Sequence, residues 1–175
     1  MLVRARGHSG RHSPTPARAG FAARGARLPV EWVTAGTEPY EVELRAFVVE
    51  DNATIRENLV GALEELTCVR VGGTAAGEEE AYAWLSDPRS GWDLVIVDLF
   101  LKAGSGMRLA QRITRQRPDQ KVIVFSNYVN ANIRKRCAQL GVDAVFDKST
   151  EIDALLDYCA RICARVAART DPARA

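Results

Sequence analysis

The stretch WDLVIVDLFL, residues 92–101, places one carboxylate inside an apolar run. Residues 94–97 and 99–101 are apolar on either side of Asp98. A run that is apolar at nearly every position is typical of a strand covered on both faces, as in a parallel sheet. An ionised carboxylate in such a place costs roughly several kcal/mol unless something pairs with it. Asp98 is therefore either a capped structural carboxylate or a reactive one.

Short apolar runs alternate with helical patterns on both sides of this stretch. Apolar spacing predicts five strands, each followed by a helix, and helices then cover both faces of one sheet. The strands are predicted at 44–49, 68–73, 93–99, 121–126 and 142–147, and the helices at 53–66, from Glu78 to Leu85, from a Ser105 cap to Pro118, around Ile133 to Gly141, and after a Thr150 cap. We therefore predict an α/β fold with a doubly wound (βα)5 arrangement around a five-stranded parallel sheet.

The basic excess of the chain lies at its N-terminal end. The chain has 175 residues and a net charge of +2. Residues 1–27 carry six arginines and no acidic residue, whereas from residue 44 onward there are 18 basic and 18 acidic residues. The predicted folded part therefore gives no electrostatic reason to expect nucleic-acid binding.

This asymmetry predicts three segments. Residues 1–42 are predicted to be a mostly disordered, arginine-rich tail, residues 43–169 the folded domain, and residues 170–175 a C-terminal tail. A transit peptide, a misplaced translation start and an arginine arm for anionic partners are the alternatives for the first segment.

The cysteines and the apolar runs bear on the compartment. No run approaches the ~18 apolar residues of a membrane helix, and the N-terminus lacks the apolar region of a secretory signal. Cys68, Cys137, Cys159 and Cys163 follow no metal or disulfide spacing. Cys159 and Cys163 lie one helical turn apart and are interpreted as a core stripe rather than a metal pair. We therefore expect a reduced, cytoplasmic protein that does not enter a membrane.

Polar residues stand at the carboxyl ends of four predicted strands. Glu50 and Asp51 follow the first strand, Asp98 the third, Ser126 the fourth and Lys148 the fifth. Taken singly, Glu50 and Asp51 are typical of a solvated turn, Ser126 of an ordinary strand-end residue, and Lys148 of an exposed lysine. Together they converge at one edge of a parallel sheet, where three carboxylates repel one another unless a cation lies among them. Oxygen ligands suit Mg²⁺, so we predict a site for a phosphoryl group with a carboxylate as nucleophile.

This pattern resembles the receiver domain of bacterial two-component response regulators, over roughly residues 44–168. The resemblance implies a flavodoxin-like fold in which Asp98 takes a phosphoryl group from a sensor histidine kinase or phosphotransfer protein. It also implies that Ser126 is the switch hydroxyl and that Lys148 pairs with a phosphoryl oxygen. The residues that carry the resemblance are Glu50-Asp51 after FVV, Asp98 at the end of VIVD, the GSG at 104–106, Ser126, and the DKS at 147–149.

The resemblance further implies a Mg²⁺ site. Asp51, Asp98 and the backbone carbonyl of Phe100 match direct ligands of the family, and Glu50 matches a residue that acts mainly through water.

The chain departs from the family pattern at two positions. Lys102 stands where the family often has proline, and Val145 stands where it usually has an aromatic switch residue. Phe146 is adjacent, but strand alternation directs it to the other face of the sheet. Phe100 and Tyr128, two residues after Asp98 and Ser126, should flank an acyl phosphate, and we hypothesise that they slow its hydrolysis.

The main functional reading is a single-domain, non-enzymatic phosphorylation switch or relay intermediate. The face made by helix 4, strand 5 and helix 5 would dock an unidentified target or form a homodimer. The second class is a haloacid-dehalogenase-like phosphotransferase. That family resemblance would require a second aspartate as general acid two residues after Asp98, where this chain has Phe100. A transcription regulator reduced to its receiver is the third, and we expect no DNA-binding domain because too few residues follow position 169.

Overall fold

A computed structural model describes residues 42–114 and 120–170. Apart from boundary residues 42 and 170, both predicted tails lie outside the described residues, as does the predicted helix end at Pro118. No helix among the described residues is long and apolar enough to cross a membrane.

Strands and helices alternate five times, as predicted from the apolar pattern. The predicted bounds of the first strand, the first helix and the fourth strand are confirmed. The third strand is shorter than predicted, because its pairing stops one residue before Asp98. The elements are β1 (Leu44–Val49), α1 (Ala53–Leu66), β2 (Val69–Ala75), α2 (Glu78–Ser86), β3 (Leu94–Val97), α3 (Gly106–Ile113), β4 (Lys121–Ser126), α4 (Ala131–Leu140), β5 (Ala144–Asp147) and α5 (Ile152–Thr170).

The five strands form one parallel sheet in the order β2-β1-β3-β4-β5. The register pairs Val49 with Val97 and Val97 with Val124, so β1 and β3 end level with each other, whereas β4 runs two residues further, to Ser126. The strand order reverses direction between β1 and β3, and ligand sites of open α/β sheets lie at such a point. The predicted fold class, a flavodoxin-like doubly wound (βα)5 domain, is confirmed.

Side chains from the sheet supply an apolar core on each face. One cluster packs against α2 and α3, and the other packs against α1 and α5. Successive side chains along each strand alternate between the two clusters, so both faces of the sheet are buried. This burial on both faces explains the nearly continuous apolar runs in the sequence. The large side chains of the first cluster include Phe47, Leu85, Trp92, Leu109 and Ile113, and those of the second include Leu63, Leu94, Ile96, Ile123 and Leu155.

Short polar side chains begin three of the helices. Asn52, Ser105 and Asn130 accept hydrogen bonds from backbone N–H groups three residues on, which satisfies donors that the first helical turn leaves free. The prediction that Thr150 caps α5 is wrong. The first residue of α5 is Ile152, so the cap position is 151 rather than 150. Gly141, at φ +84°, ends α4 as predicted.

The prediction that the cysteines are reduced is wrong for Cys68 and Cys163. Cys68 and Cys163 form a disulfide with their Cα atoms 6.0 Å apart, although they are 95 residues apart in sequence. The disulfide forms because the fold packs α5 beside the start of β2. The spacing of the cysteines in the sequence does not indicate this contact. Cys159 does lie in the core, where it is fully buried.

Candidate functional site

Backbone pairing brings the polar residues after the strands to one edge of the sheet. The N–H of Asp98 donates to the carbonyl of Val49 at 2.9 Å, which continues the β1–β3 pairing past β3. On the other side, the N–H of Lys148 donates to the carbonyl of Ser126 at 3.2 Å. The parallel register therefore places the side chains after β1, β3, β4 and β5 around one cleft.

Asp98 is buried, and both of its carboxylate oxygens accept hydrogen bonds. Oδ1 accepts from the hydroxyl of Ser126 at 2.6 Å and from the N–H of Phe100 at 3.1 Å. Oδ2 accepts from the ammonium of Lys148 at 2.7 Å. These three donors offset the desolvation of the buried charge.

Two more carboxylates lie beside Asp98. Oxygens of Glu50, Asp51 and Asp98 all lie within 4.8 Å of one another. Glu50 is 2% exposed, and it accepts from the N–H of Asn52 at 3.1 Å and from the ammonium of Lys148. The buried ammonium of Lys148 thus contacts two of the three carboxylates, those of Glu50 and Asp98, so the carboxylates outnumber it.

Lys102 supplies a second, exposed cation at this cluster. Its N–H donates to Oδ2 of Asp51 at 3.2 Å, and its ammonium lies 3.5 Å from the same oxygen. The Lys102 side chain is 81% exposed, whereas that of Asp51 is 13% exposed. A proline at this position would offer neither donor.

The donor set fits a hard divalent cation. Asp51 and Asp98 could hold it through carboxylate oxygens, Phe100 lines the same cleft, and a Glu50 oxygen lies within 4.8 Å of theirs. Few oxygen ligands with room for water suit Mg²⁺. Bound there, the ion would neutralise negative charge on a phosphoryl group.

Two exposed aromatic rings stand at the rim of the cleft, which has a volume of about 470 Å³. Phe100 is 57% exposed and Tyr128 is 81% exposed, and their ring centroids are 6.4 Å apart in an edge-to-face arrangement. Tyr128 has a φ of +61°, a left-handed conformation that is uncommon for a residue other than glycine. The cleft is lined by Glu50, Asp51, Asn52, Ile55, Asp98, Phe100, Lys102, Asn127, Tyr128 and Lys148.

Two glycines shape the loop that follows Asp98. Gly104 has a φ of +96°, and a Cβ there would collide with the side chain of Glu78. A Cβ on Gly106 would overlap the backbone carbonyl of Asp98. The GSG motif therefore lets α3 begin directly against the end of β3.

Sequence reasoning missed Glu78, which holds this loop from the side of α2. Glu78 is 3% exposed and accepts from the N–H of Ser105 at 2.8 Å, from Arg108 at 2.7 Å and from Arg112 at 3.4 Å. Burial alone would raise the pKa of Glu78, but these hydrogen bonds and the Arg108 charge outweigh it and lower the pKa. In the sequence, Glu78 is only the first of three acidic residues at a helix start.

On the opposite side, a charged network ties α4 to β5 and α5. Arg134 donates to the carbonyl of Val145 at 2.6 Å and to Glu151 at 2.7 Å, and Glu151 accepts from the N–H of Asp147 at 2.6 Å. That N–H and the Arg134 charge lower the pKa of Glu151. Hydrogen bonds from the hydroxyl and N–H of Ser149 lower the pKa of Asp147. The network connects α4 to the strand end that carries the DKS motif.

Val145 and Phe146 face opposite sides of β5, as alternation predicts. Val145 packs beside Cys137 of α4 in a small cluster under that helix. Phe146 instead packs edge-on against Tyr158 of α5, with ring centroids 5.8 Å apart. The face toward α4 therefore has Val145 at the position where the resemblance predicts an aromatic switch residue.

Comparison with known proteins agrees with this geometry. The family model described as "Response regulator receiver domain" matches residues 46–160. The chain belongs to the receiver domain family of response regulators. Members of this family accept phosphoryl groups, bind Mg²⁺ at an acidic pocket and interact with histidine kinases or phosphotransfer proteins.

Curated relatives of this receiver are longer than the matched region. "Protein-glutamate methylesterase/protein-glutamine glutaminase 1" of Syntrophus aciditrophicus is 30% identical over 107 residues, which is 60% of this chain and 30% of the relative. The response regulator protein VraR of Staphylococcus aureus is 23% identical over 114 residues, 65% of this chain and 54% of VraR. The chain therefore spans about a third to a half of the length of these relatives.

Solved structures of isolated receiver domains are covered almost completely. The non-phosphorylated HemR receiver domain from Leptospira biflexa is 29% identical, with a TM-score of 0.61, over 69% of this chain and 94% of that one. A CheY-like receiver domain protein from Methanospirillum hungatei is 22% identical, with a TM-score of 0.62, over 70% of this chain and 95% of that one. The latter likeness concerns the fold alone.

Proposed function

We propose that Asp98 is the phosphoacceptor of this receiver. A carboxylate oxygen of Asp98 attacks phosphorus of a phosphohistidine on a sensor kinase or phosphotransfer protein. The P–N bond breaks, the imidazole leaves with the electron pair, and an acyl phosphate forms on Asp98. The observation that carries the proposal is the hydrogen bonding of this buried carboxylate to Ser126 and Lys148 inside an acidic cleft.

The neighbouring side chains have separate proposed roles. Lys148 pairs with a phosphoryl oxygen once Asp98 is esterified, because its ammonium already lies 2.7 Å from Asp98. Ser126 turns its hydroxyl from Asp98 to the phosphoryl group. Asp51, Asp98 and the carbonyl of Phe100 would hold Mg²⁺, and Glu50 would act through water.

We further propose that phosphorylation acts through protein contacts rather than substrate turnover. Movement of Ser126 displaces the loop that leads into α4, and Arg134 couples α4 to Val145 and Glu151. The resulting change in the α4–β5–α5 face would dock a target protein, form a homodimer or accompany onward phosphotransfer. We also propose that residues 43–169 form a single receiver domain and that the protein acts in the cytoplasm.

Intact-mass spectrometry of the full chain tests the phosphoacceptor. After incubation with Mg²⁺ and acetyl phosphate, the wild type should gain one phosphoryl group, and Asp98→Asn should gain none. Asp157→Asn, which removes an exposed aspartate on α5, is the matched control and should behave as wild type.

The assay also separates metal dependence from acceptance. The gain should disappear when Mg²⁺ is removed with a chelator, because the cluster's negative charge is then uncompensated toward an anionic donor. Phosphorylation of Asp98→Asn to the wild-type level would contradict the proposal.

A further inference from the structure

The disulfide lies well away from the acidic cleft and joins two elements of the second core cluster. Cys68 stands between α1 and β2, and Cys163 is in the second half of α5. Both residues are half-buried and pack against the cluster that includes Leu63 and Leu155. Neither residue is fully buried, so small thiols and disulfides can approach this part of the surface.

The surroundings of Cys68 hold it in place without the bond. Its carbonyl accepts from the N–H of Leu44 at 3.2 Å, at the start of the β1–β2 pairing. The hydroxyl of Thr67 donates to the carbonyl of Leu63 at 2.6 Å and accepts from the N–H of Val69 at 3.0 Å. These contacts do not involve sulfur, so opening the disulfide leaves this turn intact.

The first half of α5 is likewise fixed by packing alone. Leu155 and Cys159 are both fully buried against the sheet. They hold Cys163, one turn further on, near Cys68 when the bond is open. The Cα separation of 6.0 Å is ordinary for a disulfide. Since packing holds the flanking residues, we expect the bond to re-form without refolding.

Beyond Cys163, α5 is anchored more weakly. Val166 is half-buried, whereas the side chains at 164, 165 and 167–169 are exposed. Helical segments with few buried apolar contacts open at low free energy. The disulfide therefore restrains the part of α5 that packing holds least.

We propose that Cys68 and Cys163 form a reversible thiol–disulfide site that clamps the second half of α5 to the start of β2 when oxidised. The oxidant is a low-molecular-weight disulfide such as glutathione disulfide. One cysteine thiolate attacks it, forming a mixed disulfide and releasing one glutathione thiolate. The second cysteine thiolate then attacks the mixed disulfide and releases the other. Two electrons pass from the cysteine pair to glutathione, and the glutathione thiolates take up the two protons.

The remaining cysteines do not compete for this bond. Cys137 and Cys159 are both fully buried. Burial raises the pKa of the Cys137 thiol and raises that of Cys159 to about 12, so neither forms the attacking thiolate near neutral pH. Cys159 therefore stays reduced although it is one turn from Cys163.

Equilibrium in glutathione buffers tests the proposal on the full chain. Samples at graded ratios of reduced to oxidised glutathione are acid-quenched, alkylated and mapped by peptide mass spectrometry. We expect Cys68 and Cys163 to become protected together within the range of ratios, and to become alkylated again on return to excess reduced glutathione. Full alkylation of the pair at every ratio, or a bond that never opens, would overturn the proposal.

Hydrogen exchange tests the clamp itself. Amides of residues 164–169 should exchange several-fold faster in the reduced protein than in the oxidised protein, with β3 amides unchanged. Cys163→Ser should exchange at the reduced rate under both conditions, whereas Cys137→Ser should respond as wild type. Equal exchange of residues 164–169 in the two redox states of the wild type would overturn the clamp.

Discussion

At the scale of single residues, Asp98 illustrates how a buried charge is made stable and kept reactive. Ser126, Phe100 and Lys148 each donate to its carboxylate. Leaving a buried carboxylate without partners costs roughly several kcal/mol, so these donors determine whether the strand end folds. Because Asp98 also lines the open cleft, a phosphoryl donor can reach its carboxylate from outside.

Lys102 should weaken Mg²⁺ binding, because its ammonium and N–H both occupy Oδ2 of Asp51. Replacing Lys102 removes only the ammonium, since the N–H belongs to the backbone, and the Lys102 side chain is 81% exposed. Ion pairs with such an exposed partner contribute up to about 1 kcal/mol. Lys102→Ala should therefore raise the Mg²⁺ affinity by roughly two- to fivefold, measured by isothermal titration calorimetry. Lys135→Ala, on exposed α4, is the control and should leave the affinity unchanged; a weaker affinity in Lys102→Ala would contradict the account.

Phe100 and Tyr128 should prolong the phosphorylated state, because both line the cleft that contains Asp98 and their rings would hinder attacking water. Replacing Phe100 with Asn and Tyr128 with Glu together should speed decay by roughly tenfold, equivalent to ~1.4 kcal/mol in the barrier. The decay is followed by intact mass after the phosphodonor is removed. An unchanged decay rate would show that the rings do not shield the acyl phosphate.

At the scale of elements, the loop between β3 and α3 depends on neighbours that are distant in sequence. Glu78 at the start of α2 accepts from Ser105, and the carbonyl of Ala103 accepts from the N–H of Glu78 at 2.9 Å. Gly106 admits the close approach of α3 to Asp98. The position of Asp98 therefore depends on α2 and α3 as well as on the strands.

Gly106→Ala should destabilise the fold, because the new methyl group overlaps the carbonyl of Asp98 and the backbone must shift. We expect a loss of about 2–4 kcal/mol in the free energy of unfolding, measured by urea denaturation. Gly61→Ala in α1 is a matched control, since its Cβ meets nothing within 4 Å and should add ~0.5–1 kcal/mol. Equal stability of the two variants would contradict this account of the GSG motif.

Glu78 should make the free energy of unfolding depend on pH in the acidic range, below about pH 4.5. Its folded-state pKa is lowered from 4.5, so its contribution is fully present above pH 4.5 and is lost as pH falls through the folded-state pKa. Glu78→Gln should lower the free energy of unfolding by roughly 1–3 kcal/mol at pH 7, and the difference from wild type should shrink below pH 4.5. Urea denaturation at several pH values measures this.

Glu79→Gln serves as the control for that series. Glu79 pairs with Arg112 at 2.7 Å, but its side chain is 78% exposed. Its replacement should change stability by less than about 1 kcal/mol at pH 7. A loss as large as that in Glu78→Gln would mean that burial of Glu78 is not what matters.

At the scale of the whole molecule, two features of the fold could be predicted from sequence because they are periodic. Apolar runs such as 94–97 and 122–125 mark strands buried on both faces, and this requires helices on each side of a parallel sheet. Parallel strands then bring their carboxyl ends to one edge, which is why Asp98, Ser126 and Lys148 could be expected to meet.

Other features depend on contacts between elements and leave no local pattern. The burial of Glu78 requires arginines that lie 30 and 34 residues away. The Cys68–Cys163 disulfide spans 95 residues and forms only because α5 packs beside the start of β2. Tyr128 carries no signal of its positive φ, since glycine is the residue that marks such a conformation.

The most direct test of the central claim identifies the phosphorylated atom. The full chain is phosphorylated with acetyl phosphate and Mg²⁺, reduced with borohydride, which converts an aspartyl phosphate to homoserine, and digested for peptide mass spectrometry. We predict homoserine at position 98 alone, and none in a sample that lacks Mg²⁺. Homoserine at Asp51 or at another aspartate, with position 98 unmodified, would contradict the account.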